Sequence, residues 1–159
     1  MIRAGAVNID TSHPMGFADS MKKDGRIRYV GVYNDSFRSD EEVDRFIARY
    51  ELEKRCRTLE ELARMSDIGF IQGCNWDDHL RCAEAFIRLG KPVFLDKPAA
   101  GSSKDVRRIR ELVKQGAVII GSSSARYAFE IQDFFSRNLK RTDTTAGFPW
   151  NPIIGNTVF

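Results

Sequence analysis

The chain has 159 residues, 42% hydrophobic and 30% charged. This is the balance of one ordinary soluble domain and excludes a largely disordered chain. Its 25 Lys+Arg against 22 Asp+Glu leave a net charge of +3, too small and too scattered to make nucleic acid the main partner.

A domain of this length buries about 68–70% of its unfolded surface and folds without disulfide or metal. Cys56, Cys74 and Cys82 are odd in number and lack CxxC spacing, so reduced thiols and a cytoplasmic location are expected. No apolar run nears the ~20 residues needed to span a bilayer. Asp10, His13 and Pro14 leave no signal-peptide apolar region near the start.

Five short apolar runs read as strands. They are Ile2 to Ile9, Ile27 to Tyr33, Asp67 to Gly73, Pro92 to Leu95 and Ala117 to Gly121, each suited to burial on both faces. Helix-period stripes lie between and after them. A helix with Pro14 in its first turn follows a Ser12 cap. Val43, Phe46, Ile47 and Tyr50 form the next stripe, and Leu59, Leu62 and Ala63 mark a short helix. Leu80, Ala83, Phe86 and Ile87 mark another, closed by Gly90. Val106, Ile109, Leu112 and Val113 follow a Ser102–Asp105 capping pattern, with Gly116 as the stop. Tyr127, Ile131, Phe134 and Phe135 suggest a last helix. Strands alternating with helices predict an α/β fold, a doubly wound parallel sheet. Arg141 to Phe159 begins as a Thr- and Pro-containing linker and ends in IIGNTVF, a strand-prone segment read either as a tail or as the start of another domain.

In such sheets ligands bind beyond the carboxyl ends of the strands, so each strand end is a candidate site. The first runs into Asn8-Ile9-Asp10-Thr11-Ser12-His13. The G-x-G-x-x-G fingerprint of a dinucleotide turn is absent, but hydroxyls and N–H groups at a helix start can receive phosphate. Asn34 and Asp35 end the second strand, where the ribose hydroxyls of NAD are held; nearby Arg38 instead suits a 2′-phosphate. Cys74 and Trp76 follow the third strand, with Trp76 a candidate shield for a cofactor ring and Asp77 or Asp78 a helix cap. The fourth strand ends Asp96-Lys97-Pro98. Lys97 there can polarise a substrate hydroxyl or carbonyl. Receiver domains also carry Lys-Pro at a strand end, but they need a phosphoacceptor Asp where Gly73-Cys74 stand. Arg126, after a triple serine, is a candidate anion contact.

GKPVFLDKP (Gly90 to Pro98), GSSSARY (Gly121 to Tyr127) and Asn75-x-x-x-His79 together resemble the Gfo/Idh/MocA oxidoreductases. Asp10 to His13 is similar to a branch with Asp-Thr-Ser-His in place of the glycines. The resemblance spans residues 1 to 140 and implies a Rossmann-like domain binding NAD or NADP, with 141 to 159 as linker and stub of an absent second α+β domain. It maps the family's Glu-Lys-Pro onto Asp96, Lys97 and Pro98, with Lys97 near nicotinamide and substrate and the Lys-Pro peptide often cis. Cofactor contacts are then expected from Asn8, Asp10, Thr11, Ser12, His13, Asn34, Asp35, Cys74, Trp76, Asp96, Pro98 and Arg126. The expected activity is NAD(P)-dependent oxidation or reduction of a sugar, polyol or related hydroxy compound, impaired without the second domain. A small carbohydrate-like substrate and a possible homo-oligomer are implied; membrane and nucleic acid are not. The alternative is a non-catalytic nucleotide or sugar-nucleotide sensing module. IIGNTVF is expected to be disordered or to pair with another copy.

Overall fold

In the computed structural model, residues 1–121, 123 and 128–136 are described. The chain divides into two compact units at Gly121/Ser122. The first contains six parallel strands: β1 (Ile2–Val7), β2 (Ile27–Tyr33), β3 (Lys54–Arg55), β4 (Ile68–Ile71), β5 (Val93–Leu95) and β6 (Ile119–Ile120). Their order across the sheet is β3-β2-β1-β4-β5-β6. The chain therefore winds outward from β1 through β3, then returns to lay β4 on the other side of β1. The pair β1/β4 is the point where the winding reverses, and a crevice opens there beyond the carboxyl ends of the strands.

The β1 side chains alternate between the two faces. Ala4 and Ala6 point to a core built with α1 (His13–Asp24) and α2 (Asp40–Tyr50), through Ala18, Met21, Val43 and Phe46. Val7 points to a second core with α3 (Leu59–Met65) and α4 (His79–Ile87), through Leu62, Ala63, Ala83 and Phe86. Helices thus cover both faces, the expected doubly wound arrangement. On the second face the helices lie very close. A Cβ on Gly5 would stand 2.7 Å from Ser66 Oγ and 2.8 Å from Leu62 Cγ, and one on Gly69 would stand 2.8 Å from the Phe86 ring. Glycine in these strands sets the helix-to-sheet spacing.

Several local features differ from expectation. β3 has no apolar run; its exposed Lys54 and Arg55 form an edge strand solely by pairing with Gly31 and Val32. β6 is two residues long and also an edge, so Ile119 is half-buried and Ile120 exposed. On α5 (Ser103–Lys114), Leu112 is buried and Ile109 packs against the second core, while Val106 and Val113 are exposed. Ser12 occupies the N-cap position of α1 in αR geometry and makes no side-chain cap bond; Thr11 Oγ1 accepts from the His13 N–H at 3.1 Å instead. The Ser102 hydroxyl oxygen accepts from the Asp105 N–H at 3.1 Å, but a complete capping box stands at Ser39–Glu42. Asp78 sits at the α4 N-cap without a cap bond, and Asn75 caps the preceding 3-10 turn, Trp76–Asp78. Gly90 and Gly116 take the positive φ of helix stops, 69° and 98°.

The second unit contributes α6 (Phe129–Ser136) to the described residues. Tyr127, Arg126 and the segment 141–159, with its expected linker and strand, lie outside the described residues. Among those described, no helix is long and apolar enough to cross a membrane.

Candidate functional site

The reversal point brings four strand ends to one rim. β1 leaves the sheet through Asn8, whose φ of 58° bends the chain where a glycine would otherwise serve. Two hydrogen bonds hold this turn to the end of β2: Asn8 Nδ2 donates to Asp35 Oδ1 at 3.0 Å, and the Asp35 N–H donates to Asn8 Oδ1 at 3.0 Å. Arg81 of α4 donates to Asp35 Oδ2 at 2.9 Å, and the Tyr33 hydroxyl donates to the same oxygen at 3.2 Å. Burial pushes the Asp35 carboxyl up, but the Asn8 amide, the Arg81 guanidinium and the Tyr33 hydroxyl together outweigh it and hold its pKa below the usual value. Asp35 is an anionic acceptor at the lip of the crevice.

Asp10 does something different. It is only 6% exposed. Its Oδ2 accepts from the Cys74 N–H at 2.9 Å, and its Oδ1 accepts from the Ser36 hydroxyl. One carboxylate thereby ties the chain after β1 to the chains after β2 and β4. The Asp10 carbonyl accepts from Arg38 Nη2 at 2.7 Å, while Arg38 Nη1 donates to Glu42 at 2.7 Å. Arg38 is thus a brace on the first turn. Asn34 is drawn in as well, its Oδ1 accepting from the Ile9 N–H at 3.3 Å. The N–H groups of Asp10, Thr11 and Ser12 at the start of α1 donate to no acceptor among the described residues.

Across the reversal point, His13 in the first turn of α1 meets the end of β5. Its Nδ1 donates to Asp96 Oδ2, and the Lys97 N–H donates to Asp96 Oδ1 at 2.8 Å. Asp96 is 6% exposed, so its two oxygens are turned inward and used. The Lys97–Pro98 peptide is cis. The Lys97 side chain is exposed and makes no hydrogen bond or ion pair among the described residues. After β4, Gly73 keeps the rim open, since a Cβ there would lie 3.2 Å from Asn8 Cβ. Cys74 is exposed and Trp76 half-buried, both in this segment; burial first, then the neighbouring Asp10 charge, raises the Cys74 thiol pKa.

Asn8, Asp10 to His13, Asn34, Asp35, Cys74, Trp76 and Asp96 to Pro98 therefore share one rim. Arg126 lies outside the described residues. Sequence reasoning missed the supporting contacts. Ser36 and Arg81 carry no local signal of their roles on Asp10 and Asp35. His79 is buried, with Nε2 donating to the Gly73 carbonyl at 2.8 Å. Gln72 is buried beneath the rim, its Oε1 accepting from the Tyr29 hydroxyl at 2.7 Å. A polar residue following an apolar strand was the available clue to Gln72.

No family model matches the sequence, and no curated protein matches it. Solved structures do. The chain is similar to a UDP-N-acetylglucosamine 3-dehydrogenase from Acidithiobacillus ferrooxidans, at 14% identity and TM-score 0.68 over 86% of this chain and 43% of that one. It is similar to a biliverdin reductase from Synechocystis sp. PCC 6803, solved with biliverdin and NADP+, at 18% identity and TM-score 0.71 over 86% and 42%. A Gfo/Idh/MocA family oxidoreductase from Vibrio cholerae gives 18% identity and TM-score 0.70 over 86% and 43%. The chain spans less than half the length of each. It has the Rossmann-like fold that these longer oxidoreductases contain.

Proposed function

We infer that this chain is the cofactor-binding part of an NAD(P)-dependent oxidoreductase of the Gfo/Idh/MocA type, acting on a sugar, polyol or related hydroxy compound. The observation that carries the reading is the convergence at β1/β4: an anionic acceptor, a helix start whose N–H groups have no acceptor among the described residues and a lysine with no partner among them share the crevice where the winding reverses.

The residues present fit a dinucleotide in a particular way. Asp35 is held anionic and can accept from ribose hydroxyls on exchanging Arg81 for them. The N–H groups of Asp10, Thr11 and Ser12 offer donors to a diphosphate at the start of α1. The Asp10 carboxylate would oppose that charge, but its oxygens are spent on Cys74 and Ser36. Arg38, engaged with Asp10 and Glu42, leaves no ready seat for a 2′-phosphate, which favours NAD. The bound nicotinamide would supply hydride acceptance and donation. Lys97 would stabilise the substrate oxygen as charge develops on it. A second α+β domain, of which 141–159 would be the linker and stub, would supply the substrate pocket, and cytoplasmic location and self-association belong to the same proposal.

Calorimetric titration with NADH and NADPH tests this reading. Saturable binding with NADH tighter is expected. A folded protein that binds neither at several millimolar would sink it. A specific observation favours the sensing-module reading: the carboxylate in the first turn. That reading predicts dinucleotide or sugar-nucleotide binding unchanged by Lys97→Ala and no hydride transfer by the full-length protein.

A further inference from the structure

The pair formed by His13 and Asp96 has the architecture of an oriented base. Asp96 is buried at the end of β5 and spends one oxygen on the Lys97 N–H, the other on His13 Nδ1. Facing a carboxylate, Nδ1 is the donor, so in the neutral form of the ring Nε2 is the acceptor. Nε2 makes no hydrogen bond among the described residues, and the His13 side chain is 37% exposed. Cys74 and Trp76 after β4 and Lys97 after β5 end on the same rim. A nucleophile-or-base group held by a third, buried group is the geometry that proton-transfer sites use.

We propose that His13 is the proton-exchanging residue of this site and that Asp96 is its positioning residue. The proposal rests on the dinucleotide reading above and adds the group that handles the proton. For oxidation of a secondary alcohol, the carbinol C–H bond breaks and its electron pair leaves as hydride to an oxidised nicotinamide dinucleotide. The O–H bond breaks, its proton passes to His13 Nε2, and the C=O bond forms. His13 then returns the proton to water. Reduction runs the same steps backwards. Lys97 steadies the oxygen between the two states.

The ionised group in contact with the ring is Asp96. Lys97 follows it in the chain, and the first turn of α1 carries no acidic residue. Tyr29 of β2 reports the Asp96 charge from below: burial first, then that charge, push its phenol well up.

The chain has two histidines, so imidazole NMR resolves them, with His13→Gln assigning the signals. The test is the His13 titration midpoint in protein saturated with NAD+ and with NADH. The nicotinamide ring is cationic in the first and neutral in the second. A base facing that ring should have a lower midpoint with NAD+ than with NADH, because a cation beside it disfavours the protonated ring. A contact with the diphosphate alone would shift both midpoints alike, and that equality overturns the proposal. His79 should show no such difference. Asp96→Asn should convert the His13 nitrogen shifts from a fixed Nδ1–H form to a tautomer mixture; an unchanged tautomer removes Asp96 from its role. If calorimetry finds that neither nucleotide binds, the dinucleotide reading itself fails, a result distinct from binding with equal midpoints.

Discussion

Replacing Asp10 with alanine removes the carboxylate that joins the chains following β1, β2 and β4. Two charge-assisted hydrogen bonds are lost, at about 1.5–3 kcal/mol each. Three things reduce the sum. A buried charge no longer has to be desolvated. Cys74 is exposed, so water can reach its N–H. The Ser36 hydroxyl already lies 3.4 Å from Asn34 Oδ1 and can turn to it. We expect a net loss of about 2–3 kcal/mol, or a fall in Tm of roughly 5–10 °C for a chain of this size. Asp10→Asn keeps an oxygen for the Cys74 N–H and presents an amide to a hydroxyl that can accept, so it should cost about 1 kcal/mol or less. Urea unfolding with matched m-values measures both. Asp10→Ala within 0.5 kcal/mol of the parent, or Asp10→Asn as damaging as Asp10→Ala, would refute the clamp. The same Asp10→Asn change removes a negative charge beside the proposed diphosphate seat, so NADH should bind more tightly to it.

Gly69→Ala forces a methyl to 2.8 Å from the buried Phe86 ring and should cost about 1–3 kcal/mol, part of it recovered by adding Phe86→Leu. Gly16→Ala, in α1 with nothing within 4 Å of the new methyl, should stabilise by about 0.5–1 kcal/mol; equal effects at the two sites would undo the packing argument. Of the three thiols, burial pushes Cys56 up to about 11 and Cys82 up to about 12, while Cys74 is exposed. One thiol should therefore react with a disulfide reagent at pH 8 in the folded protein, more slowly than a free cysteine, and two only on unfolding, and saturating NADH should slow the first further. The Asp35 carboxyl, held below its ordinary value, contributes stability that is complete above its unfolded pKa and is lost as pH falls through the folded one. Asn8→Gly keeps the positive φ but deletes the amide that bonds Asp35. The stability gap between parent and variant should narrow as pH falls below about 4, and a gap constant down to pH 2.5 would contradict the account.

The order of elements was legible because each βα unit announces itself locally. The β-branched run of β2, the stripe Val43, Phe46, Ile47 and the stop at Gly90 depend on neighbours a few residues away. Lys54–Arg55 was not legible, because a charged dipeptide becomes a strand only when an edge is offered to it. The exposed faces of Val106 and Val113 were hidden for the same reason: periodicity shows that a stripe exists but not how wide a surface covers it. At the site, the strand-end rule placed Asn8, Asp35, Asp96 and Lys97 on one rim. The pairings among them were out of reach. Nothing near Asp10 points to Ser36 or Cys74, and nothing near His13 points to a carboxylate 83 positions away.

Where glycines form the first turn of such a fold, shape comes from missing side chains, and acidity of the medium leaves it untouched. Here the bend at Asn8 is held by the Asp35 carboxylate, and the knot at Asp10 is itself a carboxylate. The contour of the crevice is thereby coupled to its own ionic state. Any ligand bringing negative charge to that corner must contend with the same groups that give the corner its form.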